Sequence, residues 1–180
     1  TEPLQIIQNE IIPALDVVGQ GFEEKRVYLP QLLMAAEAAK ASFEKIKAQM
    51  SGDTAANKCP VVIATVHGDI HDIGKNIVRL LLENYGFEVI DLGKDVAPQD
   101  ILDAVIAHHA PAAGLSALMT TTVPAMQETI ELLKEKAPWC KVVVGGAVLN
   151  QEYADRIGAD RYARDAMETI RYADKVDNAR

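Results

Sequence analysis

The sequence predicts an α/β fold: a five-stranded parallel sheet, doubly wound by helices and preceded by a small helical unit. Three observations predict it. From residue 60 onward, short apolar runs alternate with segments of helical period, the order that crossover-connected parallel strands require. Before residue 50, apolar residues recur at spacings of three and four with no strand-like run. Between the two, Ser51-Gly52-Asp53-Thr54-Ala55-Ala56-Asn57-Lys58 carries no apolar period and is rich in small polar residues, as linkers are. The expected organisation is a helical cap over 1–50, a linker over 51–59 and the α/β domain over 60–180.

Within 5–24, Ile7, Ile11, Leu15, Val18 and Phe22 form one stripe of an amphipathic helix. Pro13 either kinks that helix or sits in the first turn of a second segment, since an interior proline costs about 3 kcal/mol. After the turn-prone Glu24-Lys25-Arg26, Pro30 suits a new first turn, and Leu32, Ala36, Ala39, Phe43 and Ile46 repeat the stripe. The two helices make an antiparallel hairpin that must lean on further helices, on the next domain or on a bulky ligand. The chain opens inside the first helical pattern, so the cap reads as truncated.

The α/β part reads as strands at 61–66, 87–91, 112–117, 141–145 and 160–162, with helices at 73–84, 98–108, 123–136, 150–157 and 165–175. In such sheets ligands sit beyond the carboxyl ends of the strands where strand order reverses. The loops there carry Asp69 to Gly74, Ser116 to Thr122, and Gly145-Gly146.

Composition narrows the function. With 49% hydrophobic and 24% charged residues in 180, the chain is of ordinary globular type. A net charge of -8 disfavours nucleic acid or an anionic membrane, whose phosphates need clustered Lys and Arg. Cys59 and Cys140 lie far apart without CxxC spacing, which fits inert thiols in a reducing compartment. No signal-peptide pattern or span of about 20 apolar residues occurs, so a cytoplasmic location is expected. His108 and His109 fall at a helix end, where a solvated or dipole-stabilising role is expected. Asp91, Asp95 and Asp100 read as loop and cap residues.

The chemistry concentrates in His67-Gly68-Asp69-Ile70-His71-Asp72-Ile73-Gly74-Lys75, which follows the first strand directly. A histidine held by an aspartate two residues earlier, on a glycine-flanked loop, is built to present one ring nitrogen to a ligand such as a metal. Alone, such a pattern is more often a polar loop. Here Ser116-Ala117-Leu118 follows Gly74 after 41 intervening residues, and Gly145-Gly146 follows Leu118 after 26, on the same sheet edge.

With these three segments the chain resembles the cobalamin-binding domain family, whose pattern is Asp-x-His-x-x-Gly, Ser-x-Leu and Gly-Gly at like spacings. The resemblance spans 60–175 and implies a Rossmann-like, flavodoxin-like domain binding cobalamin (methylcobalamin) in the base-off, His-on form. His71 would be the lower axial cobalt ligand in place of the cofactor's own dimethylbenzimidazole. Asp69 would hold the other ring nitrogen, and Thr122, where one branch has serine, would extend the hydrogen-bond chain. Gly68, Ile70, Asp72 and Gly74 would complete the binding loop. Ser116 and Leu118 would line the channel for the nucleotide tail, with Thr120 available for hydrogen bonding, Gly145 and Gly146 allowing close approach, and Ala166 nearby.

Val18-Gly19-Gln20-Gly21-Phe22 and Val27-Tyr28-Leu29-Pro30-Gln31-Leu32-Leu33 are similar to the four-helix cap of methionine synthase and related corrinoid proteins. Phe22 and Leu29 would shield the upper face of the cofactor. The resemblance, closest to the homocysteine methyltransferase branch, implies a module that carries a methyl group from methyltetrahydrofolate to homocysteine. The chain holds no His/Cys cluster for thiol-activating zinc, so catalysis would need methyl-donor and methyl-acceptor domains or subunits, and possible partners include a reactivation protein. The alternatives are a stand-alone corrinoid protein for methanol, methylamine or methoxyaromatic methyltransferases, and a cobalamin-dependent sensor. A phosphoacceptor receiver needs an aspartate where this chain has Gly114-Leu115-Ser116.

Overall fold

The computed structural model describes residues 6–49 and 58–180. A π-helical turn, Ile7–Ile11, leads into α1 (Ile12–Glu23), and α2 (Leu29–Gln49) returns antiparallel to it. Pro13 lies in the first turn of α1, directly after the π-helical turn. The preceding turn is wound wider, a feature that apolar spacing does not reveal. Leu15, Leu32, Ala36 and Ala39 are buried as the stripe requires. The side chains of Ile7 and Phe43 lie outside those described.

The α/β part follows as β1 (Lys58–Thr65), α3 (Ile73–Asn84), β2 (Phe87–Asp91), α4 (Pro98–Ala107), β3 (Ala112–Ser116), α5 (Val123–Lys136), β4 (Lys141–Gly145), α6 (Gln151–Arg156), β5 (Arg161–Tyr162) and α7 (Ala166–Asp177). All neighbouring strands pair in parallel, in the order β2-β1-β3-β4-β5. The linker expected over 51–59 lies outside the described residues as far as 57, and Lys58 and Cys59 already belong to β1. Long-range partners pin them: the Lys58 N–H donates to Gly86 O at 3.1 Å, its ammonium pairs with Asp174, and the Cys59 N–H donates to Asp177 Oδ1 at 2.9 Å.

Alternation along the strands builds two cores. Val62, Ala64, Val66, Leu115 and Val144 face α4, α5 and α6 through Ile101, Val105, Met126, Ile130, Leu133 and Ala154. Val61, Ile63 and Ala112 face α3 and α7 through Leu81, Leu82, Met167 and Ile170, and this second core extends into the hairpin at Leu15, Leu32 and Ala36. The hairpin therefore leans on the α/β domain. Arg171 of α7 donates to both carboxylate oxygens of Glu23 at 2.9 and 3.1 Å, and Tyr85 Oη reaches Asp16 at 3.2 Å. At Gly19 a Cβ would stand 2.6 Å from Met167 Cε, so the missing side chain sets the closeness of α1 to α7.

Cys59 and Cys140 are buried free thiols. Burial pushes both up to about 12, helped by the charges of Asp177 and Asp160 respectively. At the opposite end of the sheet from the motif loops, His108 caps α4 and His109 stacks on Trp139 with ring centroids 4.9 Å apart. No helix among the described residues is long and apolar enough to cross a membrane.

Candidate functional site

β1 and β3 are adjacent, but their crossovers leave in opposite directions, so a crevice opens beyond their carboxyl ends. The chain leaving β1 is fastened at once: the Val66 N–H donates to Ser116 O at 3.1 Å and the Asp69 N–H to Val66 O at 3.0 Å, making a tight turn. Gly68 sits in that turn at φ +82°, a conformation glycine adopts without strain, and donates its N–H to Asp95 Oδ1 at 2.7 Å. Asp95 also pairs with His67 Nδ1 at 2.9 Å.

Asp69 is fully buried and is the hub of the site. Its Oδ1 accepts from the His71 backbone N–H at 3.0 Å and meets His71 Nδ1 at 2.8 Å. Its Oδ2 accepts from the N–H groups of Leu118 at 2.7 Å and Met119 at 3.3 Å, and from Thr122 Oγ1 at 2.9 Å. Burial alone would raise this carboxyl, but the backbone donors of His71 and Leu118, with the His71 ring and the Thr122 hydroxyl, outweigh it and hold the group well below the usual carboxylate range. An ionised carboxylate only accepts, so Nδ1 carries the proton and Nε2 keeps its lone pair for a ligand. The ring is 45% exposed, as a ligating group must be.

His71 lines a cavity of about 580 Å³ that runs from the crevice down between the sheet and helices α3 and α7. Ile70, Asp72, Gly74, Ser116, Leu118, Gly145, Gly146 and Ala166 line it, and from the hairpin so do Phe22 and Leu29. Ile70 (62% exposed) and Leu118 (41%) give its mouth a solvent-facing apolar rim. Four of the sequence-derived residues do not line it. Asp69 and Thr122 stand behind His71 as its support. Gly68 shapes the turn, and Thr120 is exposed in a short 3₁₀ turn, Thr120–Thr122, where no side-chain hydrogen bond engages it among the described residues.

The glycines test whether a bulky planar cofactor fits. A Cβ at Gly74 would meet nothing within 4 Å, so the fold does not require glycine there; the bare backbone widens the cavity instead. Gly146 differs. At φ +139° its Cβ would stand 1.8 Å from Ala117 O, so the close approach there is first of all between two loops of the protein. With one imidazole nitrogen as donor, an apolar rim and a deep channel, the residues fit a single-ligand macrocyclic metal cofactor whose tail enters the channel. Among the described residues no group of three metal-ligating side chains offers a protein-only metal site.

Several residues escaped the sequence reading. Lys75 follows the motif directly and is buried, with its ammonium 2.5 Å from Asp91 Oδ1 and 3.0 Å from Asn76 Oδ1, so Asp91 is an ion-pair partner and not merely a loop residue. Gly114, in mid-strand, and Thr169, on α7, line the cavity. A glycine interrupting an apolar strand was the available sign for Gly114.

The chain matches the model of the B12 binding domain over residues 60–171, and a second B12 binding domain model over residues 1–47. It is 42% identical over 178 residues to dimethylamine corrinoid protein 2 of Methanosarcina mazei, covering 97% of this chain and 83% of that protein. Among solved structures it is similar to a cobalamin-binding protein from Desulfitobacterium hafniense DCB-2, with 32% identity, a TM-score of 0.85, and coverage of 97% and 82% of the two chains. It is also similar to the methanol:cobalamin methyltransferase complex MtaBC from Methanosarcina barkeri, with 31% identity, a TM-score of 0.84, and coverage of 99% and 69%.

Proposed function

This chain belongs to the B12 binding domain family, and from that membership we propose that it is a corrinoid carrier serving a methylamine methyltransferase system. The observation that carries the proposal is the Asp69-held imidazole of His71 at the mouth of the cavity. A bound corrinoid supplies a cobalt centre that accepts and releases a methyl group.

The chain's own residues bind, orient and shield. His71 Nε2 would hold the metal, oriented by the Asp69 carboxylate at its other ring nitrogen. Asp69, held ionised by the donors around it, would keep the Nδ1 proton on the imidazole and so leave Nε2 free to hold the metal. The Thr122 hydroxyl has one proton and two acceptors, Asp69 Oδ2 at 2.9 Å and Met119 O at 2.8 Å, so it can strengthen or relax its bond to the carboxylate. Phe22 and Leu29 bring the helical hairpin to the same cavity, where they would exclude water from a bound cofactor.

Transfer from methyltetrahydrofolate to homocysteine would use the same carrier step. A relative that matches over nearly the whole chain is a dimethylamine corrinoid protein, which favours a separate carrier subunit acting with a methyltransferase subunit. Methanol is the second substrate class, favoured by the likeness to the MtaBC complex. The test is to mix the cobamide-loaded chain with dimethylamine or methanol and the matching methyltransferase subunit, or with the folate domain of a methionine synthase and its methyl donor. Methylation of the cofactor, followed by visible absorption, is expected with the dimethylamine subunit; methylation by the folate domain alone would overturn the assignment.

A further inference from the structure

Beyond β2 the chain does not leave the sheet at once but runs on beside the end of β1. The Leu92 N–H donates to Ile63 O at 3.0 Å, the Thr65 N–H to Gly93 O at 3.0 Å and the Val96 N–H to Thr65 O at 3.1 Å. This backbone ladder fixes Asp95 beside the turn that carries Gly68 and Asp69. There Asp95 makes two bonds of its own: its N–H donates to Asp69 O at 2.9 Å, and its Oδ1 accepts from the Gly68 N–H at 2.7 Å. One residue thus holds both ends of the Gly68-Asp69 pair, the amide entering Gly68 and the carbonyl leaving Asp69.

That hold uses an uncommon backbone. Asp95 stands at φ +54°, in the left-handed region that side chains disfavour, aspartate less than most. Among the described residues two other non-glycine residues, Lys25 and His109, have positive φ, and each directly follows the capping residue of a helix, where that conformation is common. Asp95 ends no helix; it lies between β2 and α4.

Asp69 is consequently fixed from two sides. Leu118, Met119 and Thr122 hold its carboxylate from the β3–α5 loop, and Asp95 holds its main chain from the β2–α4 loop. His71 takes its direction from that carboxylate, through its own N–H at 3.0 Å and its ring Nδ1 at 2.8 Å. His67 Nδ1 sits 2.9 Å from the Asp95 oxygen that Gly68 uses, on the solvent side of the turn.

We infer that Asp95 is a positioning residue for His71: it does not line the cavity, and it acts by fixing the main chain of Asp69 and with it the carboxylate that aims the imidazole. The inference rests on the corrinoid-carrier proposal, in which His71 Nε2 holds the metal.

The test compares the wild type, Asp95→Gly and Asp95→Asn by visible absorption titration with cobamide, reading both the affinity and the histidine-ligated share of the cofactor at saturation. Glycine adopts this backbone without strain, so Asp95→Gly removes the carboxylate and keeps the loop. Asparagine also tolerates it and keeps an oxygen acceptor for the Gly68 N–H. Asp95→Gly should bind roughly ten-fold more weakly and show a smaller histidine-ligated share, and Asp95→Asn should recover both. In the wild type the Gly68 amide should exchange its proton slowly despite its exposed position. A saturated Asp95→Gly spectrum identical to that of the wild type, an Asp95→Asn variant as impaired as Asp95→Gly, or a Gly68 amide exchanging at the rate of a free chain would overturn the inference alone. If the wild type itself showed no histidine-ligated spectrum, the carrier proposal would fall and this inference with it.

Discussion

The Asp69 carboxylate and the His71 ring meet at 2.8 Å with the carboxylate fully buried and the ring nearly half exposed. The aspartate belongs to the protein interior and the histidine to the cavity. Removing the carboxylate charge therefore acts in both directions. Asp69→Asn should lower stability by about 2–4 kcal/mol, because an amide cannot accept from all the donors gathered around it. It should also weaken cobamide binding by roughly 10–100-fold through the misoriented imidazole. Urea unfolding and absorption titration measure the two effects separately.

Thr122 contributes one of those donors. Thr122→Val should cost about 1–2 kcal/mol in urea unfolding, and Thr122→Ser, which keeps the hydroxyl, should restore most of it.

Two motif glycines should respond oppositely. Gly74→Ala meets no protein atom within 4 Å in the first turn of α3, so the variant should be more stable by about 0.5–1 kcal/mol while binding cobamide less tightly. Gly146→Ala places a Cβ at 1.8 Å from Ala117 O and should lose at least about 2 kcal/mol. Paired urea and titration curves check the contrast.

Much of the fold was legible because each strand and crossover helix carries its own period, and the motif loops fell where the order reverses. What the sequence concealed depends on partners distant along the chain. The start of β1 at Lys58 is set by Asp174 and Asp177 of α7. Lys75 needs Asp91 at the end of β2 to explain its burial. The hold of Asp69 on His71 is legible in the local pattern, whereas the contact of Thr122 with Asp69 follows only from the family resemblance, because no local pattern reveals that residues 53 apart share a hydrogen bond. The exposure of Thr120 was equally hidden, since a run of three threonines does not show which will turn inward.

Alkaline pH should destabilise the protein through its thiols. Cys59 and Cys140 rise in the folded state from an ordinary value of 9.0 to about 12. The folded protein keeps both protons where the unfolded chain loses them. Their contribution is thus fully present below pH 9 and is lost as pH rises from there toward 12. Urea midpoints measured across that interval should fall more steeply for the wild type than for a Cys59→Ala/Cys140→Ala variant.

The central claim is that His71 is the group this chain gives to cobalt. Visible absorption of the chain saturated with cobamide, compared between wild type and His71→Ala, tests it most directly. A histidine-ligated spectrum is expected for the wild type and a base-off spectrum without a protein ligand for the variant. Identical spectra for the two would contradict it.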